Sequence, residues 1–119
     1  MNTPAGEGRL SEEYRRIGTE ELRELKKDIE DGGCLLLDVR ERHEFESGHI
    51  PLAILMPISE MERRWQGLDP SMKIVLYCRS GKRSARVADL LAQKGFKDIS
   101  ILEGGLNRWS DDHGPMERK

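Results

Sequence analysis

Three short, nearly unbroken apolar runs constrain this chain most: Cys34-Leu35-Leu36-Leu37-Asp38-Val39, Lys73-Ile74-Val75-Leu76-Tyr77 and Ile99-Ser100-Ile101-Leu102. Each has the length of a strand, and apolar content this continuous suits strands covered on both faces, as in a parallel sheet between layers of helices. Helical spacing fills the gaps. Thr19 is placed to cap a helix with Glu20 and Glu21 in its positive first turn and Leu22, Leu25 and Ile29 on one face, closed by Asp31-Gly32-Gly33. Ser59-Glu60-Met61-Glu62 has the spacing of a capping box and predicts a helix through Leu68, stopped by Asp69-Pro70. A further helix starting near Ser84 turns Val87, Ala88, Leu90 and Leu91 to a core and ends at Lys94-Gly95. A last short one, after Glu103-Gly104-Gly105, carries Leu106 and Trp109. Residues 14–17 and 53–56 read as two minor extended pieces, and residues 40–48, too charged for a core, as a short helix or turn. The alternation predicts an α/β fold built on a mainly parallel sheet of about five strands flanked by helices.

A length of 119 residues fits one domain. Residues 1–13, rich in Gly, Glu and Ser, are expected to form a flexible N-terminal arm, leaving 14–119 as the single domain. Charged residues make up 35% of the chain, yet the net charge is only −2, so bulk charge supports neither a nucleic acid nor an anionic membrane as partner. No run approaches the roughly 18 apolar residues of a membrane span, and Met1 to Gly8 lack a signal-peptide pattern, so the expected location is cytoplasmic. Cys34 and Cys78 are then expected to be free thiols, and His43, His49 and His113 show no metal-ligand spacing. Neither a metal nor another cofactor is expected.

The chemistry concentrates in Cys78-Arg79-Ser80-Gly81-Lys82-Arg83, between an apolar run and an amphipathic helix. In parallel sheets ligands gather outside the carboxyl ends of strands, where Cys78 falls, and Asp38-Val39-Arg40 falls at a second such end. A thiol of ordinary pKa ~8.5 is brought to roughly 3.5–7.5 by a helix N-terminus and neighbouring cations. Both devices are available here. The helix directs unpaired N–H groups at the loop, Arg79, Lys82 and Arg83 add positive charge, and Gly81 permits the left-handed backbone that curls amides inward. Cys34, inside an apolar run, reads as core. A phosphate-binding Walker loop is excluded because Arg83 follows Gly81-Lys82 and Leu76 stands at the earlier glycine position. Tyrosine-phosphatase-like loops place five residues between cysteine and arginine, whereas four separate Cys78 from Arg83, which predicts a tighter ring.

Cys78 to Ser84 resembles the active-site loop of the rhodanese (thiosulfate sulfurtransferase) homology domain. Leu37-Asp38-Val39-Arg40-Glu41-Arg42-His43-Glu44-Phe45 running to Gly48-His49-Ile50-Pro51, and Leu102-Glu103-Gly104-Gly105-Leu106-Asn107-Arg108-Trp109, resemble the same family, so that the likeness covers roughly residues 14–110. Leu52-Ala53 and Met56 depart from it, in a connection and a short strand.

The resemblance implies a three-layer fold and ping-pong sulfur transfer. In that scheme Cys78 carries a persulfide, and Arg79, Ser80, Gly81, Lys82, Arg83 and Ser84 form the substrate-binding loop. Arg83 and Lys82 attract the anionic donor more than Arg79 does. Asp38 and Arg40 support the loop or pair with each other, and His49 either packs and hydrogen-bonds within its rigid turn or takes part in proton transfer, the first being favoured. Trp65 and Trp109 are expected in the core or at its rim, and residues 40–46 on a solvated face. The implied partners are thiosulfate or another sulfane-sulfur donor, with cyanide, a small thiol or a sulfur-carrier or thioredoxin-like protein as acceptor. Two readings compete with this one: an arsenate reductase or phosphatase, and a non-catalytic rhodanese-like binding module.

Overall fold

The three apolar runs form adjacent strands of one sheet. The computed structural model describes residues 14–118, so the expected arm at residues 1–13 lies outside the described residues. Five strands, β1 (Arg15–Ile17), β2 (Cys34–Asp38), β3 (Ile54–Leu55), β4 (Lys73–Tyr77) and β5 (Ile99–Leu102), pair in the order β1-β5-β4-β2-β3. Every strand pair is parallel. Six helices accompany them: α1 (Thr19–Glu24), α2 (Lys26–Glu30), α3 (Arg42–Ser47), α4 (Met61–Arg64), α5 (Lys82–Gln93) and α6 (Gly105–Asp111).

Alternate residues of each strand enter opposite cores, as the two-residue period of a strand requires. Leu37, Ile74, Leu76 and Ile101 pack with Val87, Ala88 and Leu91 of α5 and Met61 of α4. Leu36, Val75, Tyr77 and Leu102 pack on the other face with Leu22 of α1 and Leu106 and Trp109 of α6. Each fully buried Leu or Ile contributes about 1.5–3 kcal/mol, so these central strands form a rigid platform for the loops at their ends.

Two helix starts differ from the sequence expectation. Gly18, not Thr19, precedes α1, and the Thr19 hydroxyl donates to the Asp112 carboxylate at 2.6 Å, tying α1 to the end of α6. The expected single helix is also divided at Leu25, whose amide bonds to the Leu22 carbonyl three residues back at 3.0 Å, the tighter winding of a 3₁₀ turn. Ser59 does not cap a long helix either. Its hydroxyl donates to Glu41 at 2.9 Å, and α4 is a single turn between 3₁₀ turns at Ile58–Glu60 and Trp65–Gly67. A capping box does form, one segment earlier: the Glu44 carboxylate accepts the Glu41 amide at 2.9 Å while Glu41 accepts from the backbone at Glu44. It opens α3 within the charged stretch.

Candidate active site

The carboxyl ends of β2 and β4 lie side by side, with Asp38 in register with Tyr77. From β2 the chain passes to the edge strand β3, and from β4 it passes to β5 on the other side. The crevice between those two ends is therefore where the sheet's winding reverses, the usual ligand position in open parallel sheets. Cys78 immediately follows β4.

The residues after Cys78 turn their donors onto its sulfur. Gly81, at φ 117°, stands just before α5 in the left-handed conformation, which glycine adopts without the Cβ penalty. This turn points the Gly81 amide at Cys78 Sγ (3.0 Å) and brings the Ser84 amide, in the first turn of α5, within 3.4 Å. The thiol reaches the Ser84 hydroxyl at 3.7 Å, and that hydroxyl donates to the Gly81 carbonyl at 3.1 Å, closing a small ring. Burial pushes the Cys78 thiol up, but hydrogen bonds from the Ser84 amide and hydroxyl and from the Gly81 and Ser80 amides outweigh it, and the net displacement is downward. Hydrogen bonds from the loop amides and the Ser84 hydroxyl lead this lowering, ahead of the cations expected from the sequence, of which Arg83 does attract the Cys78 charge.

A second segment supports this ring from behind. The Leu106 amide donates to the Cys78 carbonyl at 2.8 Å and the Asn107 amide to the Arg79 carbonyl at 3.0 Å. These bonds require close approach at Gly105, where an added Cβ would lie 2.5 Å from the Cys78 oxygen and 2.6 Å from the Arg79 oxygen. The Gly104-Gly105 pair of the closing motif thus braces the reactive loop. Nothing in its local sequence reveals that.

Asp38 and Arg40 are brought close to the loop but bond to each other. Arg40 Nη2 donates to Asp38 Oδ2 and to the Gly48 carbonyl, both at 2.7 Å, and Nε to Asp38 Oδ1 at 3.0 Å. Both side chains are fully buried. Burial opposes the Arg40 charge, and the bonds and charge of Asp38 outweigh it, so the guanidinium is held more strongly protonated than usual. The pair fastens the Gly48-Ile50 turn to the end of β2, and the Ile50 amide donates to the Tyr77 hydroxyl at 3.0 Å. His49 stacks on Phe45 at 3.7 Å and its Nδ1 bonds to the Phe45 carbonyl at 2.8 Å, a packing role. Trp109 is likewise core, donating to the Pro115 carbonyl at 2.8 Å.

Glu44 is the residue that sequence reasoning missed. Assigned with its neighbours to a solvated face, it instead faces the loop and grips Arg83 with both oxygens, at 2.8 and 3.1 Å. The Arg83 hydrogen bond holds the Glu44 carboxyl at about 2 against the opposing effect of burial. Its only sequence signal is its position three residues after Glu41, where a capping box would put it.

Among the described residues no cluster of three His, Cys, Asp or Glu side chains could hold a metal ion. Beside the loop, on the side of β5 and α6, lies an open groove of about 610 Å³ lined in part by Arg16, Ser80, Gly81, Lys82, Asn107 and Arg108.

A parallel α/β sheet whose switch point carries a cysteine ringed by amides describes a class of cysteine-loop proteins. Residues 21–112 match the Rhodanese-like domain, and the chain belongs to that family. It is 37% identical over 92 residues to the "Putative sulfurtransferase YtwF" of Bacillus subtilis, covering 76% of this chain and 88% of that one. It is 38% identical over 101 residues to "Adenylyltransferase and sulfurtransferase MOCS3-2" of Zea mays, covering 78% of this chain but only 21% of that much longer protein. Among solved structures, a rhodanese-related protein from Thermoplasma volcanium superposes with a TM-score of 0.78 at 33% identity, covering 89% of this chain and all of the other.

Proposed function

We propose that the protein is a sulfurtransferase working through a persulfide on Cys78. The thiolate attacks the outer sulfur of thiosulfate or a similar sulfane donor, the donor S–S bond breaks, and its electron pair leaves with sulfite. The outer sulfur remains on Cys78. A second nucleophile, such as cyanide, a small thiol or a carrier or thioredoxin-like protein, then attacks that sulfur and returns an electron pair to Cys78. The observation that carries this reading is the convergence of the Gly81 and Ser84 amides on Sγ, with the Ser84 hydroxyl 3.7 Å away, a ring that offers donors to a negative sulfur.

The ring is small, which suits a single added sulfur. Arg79, Lys82 and Arg83 supply positive charge for an anionic donor, and the Asp38–Arg40 pair supports the loop indirectly by fixing the turn beside it. The groove along Ser80, Gly81 and Lys82 gives an acceptor room at the rim. Relatives that carry the name sulfurtransferase or "Putative sulfurtransferase" support the same class of reaction. No helix among the described residues is long and apolar enough to cross a membrane, and a reducing cytoplasmic setting, which keeps Cys78 a thiol, suits this chemistry.

Intact-protein mass spectrometry after exposure to thiosulfate tests the reading. Wild type is expected to gain one sulfur that a thiol reductant removes, and Cys78→Ser to gain none. Turnover of arsenate or a phosphoester without any sulfur adduct would overturn it.

A further inference from the structure

The loop carries three cations, but they do not face an incoming donor on equal terms. Arg83 spends both ends of its guanidinium on Glu44, and Arg79 Nη2 lies 3.8 Å from the same carboxylate. Lys82, exposed on the loop, enters no ion pair among the described residues. Glu44 is held firmly, because its Oε1 also accepts the Glu41 amide at 2.9 Å and its side chain is only 15% exposed. A fixed negative charge thus stands directly against Arg83, where both side chains are largely buried and solvent screens the pair less, and more loosely against Arg79, whose side chain is 54% exposed.

We propose that Glu44 sets the charge preference of the Cys78 site, disfavouring dianionic sulfane donors such as thiosulfate relative to neutral or singly charged hydropersulfides. This rests on the sulfurtransferase reading for the identity of the donors, though not for the electrostatics. With a hydropersulfide R–S–SH, the Cys78 thiolate attacks the outer sulfur, the S–S bond breaks, and its electron pair leaves on R–S⁻. Cys78 is left as Cys–S–SH, and no outside oxidant or reductant is required. The departing thiolate carries one negative charge, and Lys82 at the rim suffices to meet it. Thiosulfate brings two, and meets arginines already engaged by a carboxylate.

Two alkylating probes of similar size, anionic iodoacetate and neutral iodoacetamide, isolate this effect. Their relative rates at Cys78, followed on the Cys78 peptide by mass spectrometry, cancel any change in thiolate fraction. Glu44→Gln keeps one oxygen for the Glu41 amide and removes the charge. We expect it to raise the iodoacetate-to-iodoacetamide ratio by about threefold or more, and Arg83→Gln, which strands the carboxylate, to lower it. Both changes should shrink in high salt. In sulfur-transfer assays Glu44→Gln should lower KM for dianionic thiosulfate with little change in kcat and affect an alkyl hydropersulfide, which carries at most one negative charge, much less.

If either variant moves both probes equally, Glu44 acts only as a structural brace and the proposal is overturned. An unchanged ratio alongside intact sulfur transfer would likewise remove the Glu44 role while leaving the sulfurtransferase reading standing. If the ratio shifts as expected while no variant accepts sulfur from either donor, the electrostatic role survives and the sulfurtransferase reading is the one lost.

Discussion

Cys34 and Cys78 lie at opposite ends of neighbouring strands and are equally buried, each 1% exposed, yet their thiols are displaced in opposite directions. Burial pushes Cys34 up, and among the described residues its sulfur hydrogen-bonds only to the Leu35 carbonyl at 3.8 Å, an acceptor that favours the neutral thiol. Burial also pushes Cys78 up, but there the chain supplies amide donors that favour the thiolate. Depth alone therefore says nothing about reactivity. What separates the two thiols is whether the adjoining backbone offers N–H or C=O groups, and that follows from which end of a parallel strand each occupies.

The most damaging test of this contrast exchanges the two cysteines' fates. Cys78→Ser should lose sulfur transfer by at least about a thousandfold, whereas Cys34→Ala should retain near-wild-type transfer and cost ~1 kcal/mol of stability. Steady-state assays and urea unfolding read the two effects. Next in size is Gly105→Ala, which drives a methyl into the Cys78 and Arg79 carbonyls and should cost about 3 kcal/mol. Unfolding measures that loss, and the alkylation rate of Cys78 should fall with it while Cys34 is unaffected.

Ser84→Ala removes a hydroxyl that stabilises the thiolate, so the pH midpoint of Cys78 alkylation should move up. A midpoint that stays in place would show the amides alone to be sufficient.

The smallest effect is expected in the pH dependence of stability. Glu44 is lowered to about 2, so its contribution to stability is full above the ordinary carboxylate range and is lost as pH falls toward that value. Acid titration of unfolding should show a steeper loss in wild type than in Glu44→Gln. Cys34, raised by burial, contributes with the opposite sign: its share is present below the unfolded thiol pKa and is lost as pH rises through the folded value. Cys34→Ala should accordingly flatten the alkaline limb of the stability profile.

Much of this contrast can be read from the chain. The continuous apolar runs specify strands buried on both faces, and their spacing is enough to place Cys78 at a carboxyl end. The cysteine loop announces itself because its small and cationic residues are consecutive. Glu44 and Gly105 do not, since their partners lie far away: Glu44 meets Arg83 across 39 positions, and Gly105 meets a backbone carbonyl, which carries no side-chain signal at all. The misplaced capping box has a similar origin. Ser59 has suitable spacing for a cap, but Glu41 competes for its hydroxyl, and that competitor is visible only once the segments are folded together.

The bonds from Leu106 and Asn107 to the Cys78 loop also have a consequence for the order in which the molecule is made. A nascent chain that has emerged just past β4 already displays Cys78, but the backing that fixes its carbonyl has not yet emerged. β1 waits as well, since among the described strands it pairs only with β5. Until α6 leaves the ribosome, the cysteine lacks the support that sets its ring, and a helix translated well after the cysteine completes the site.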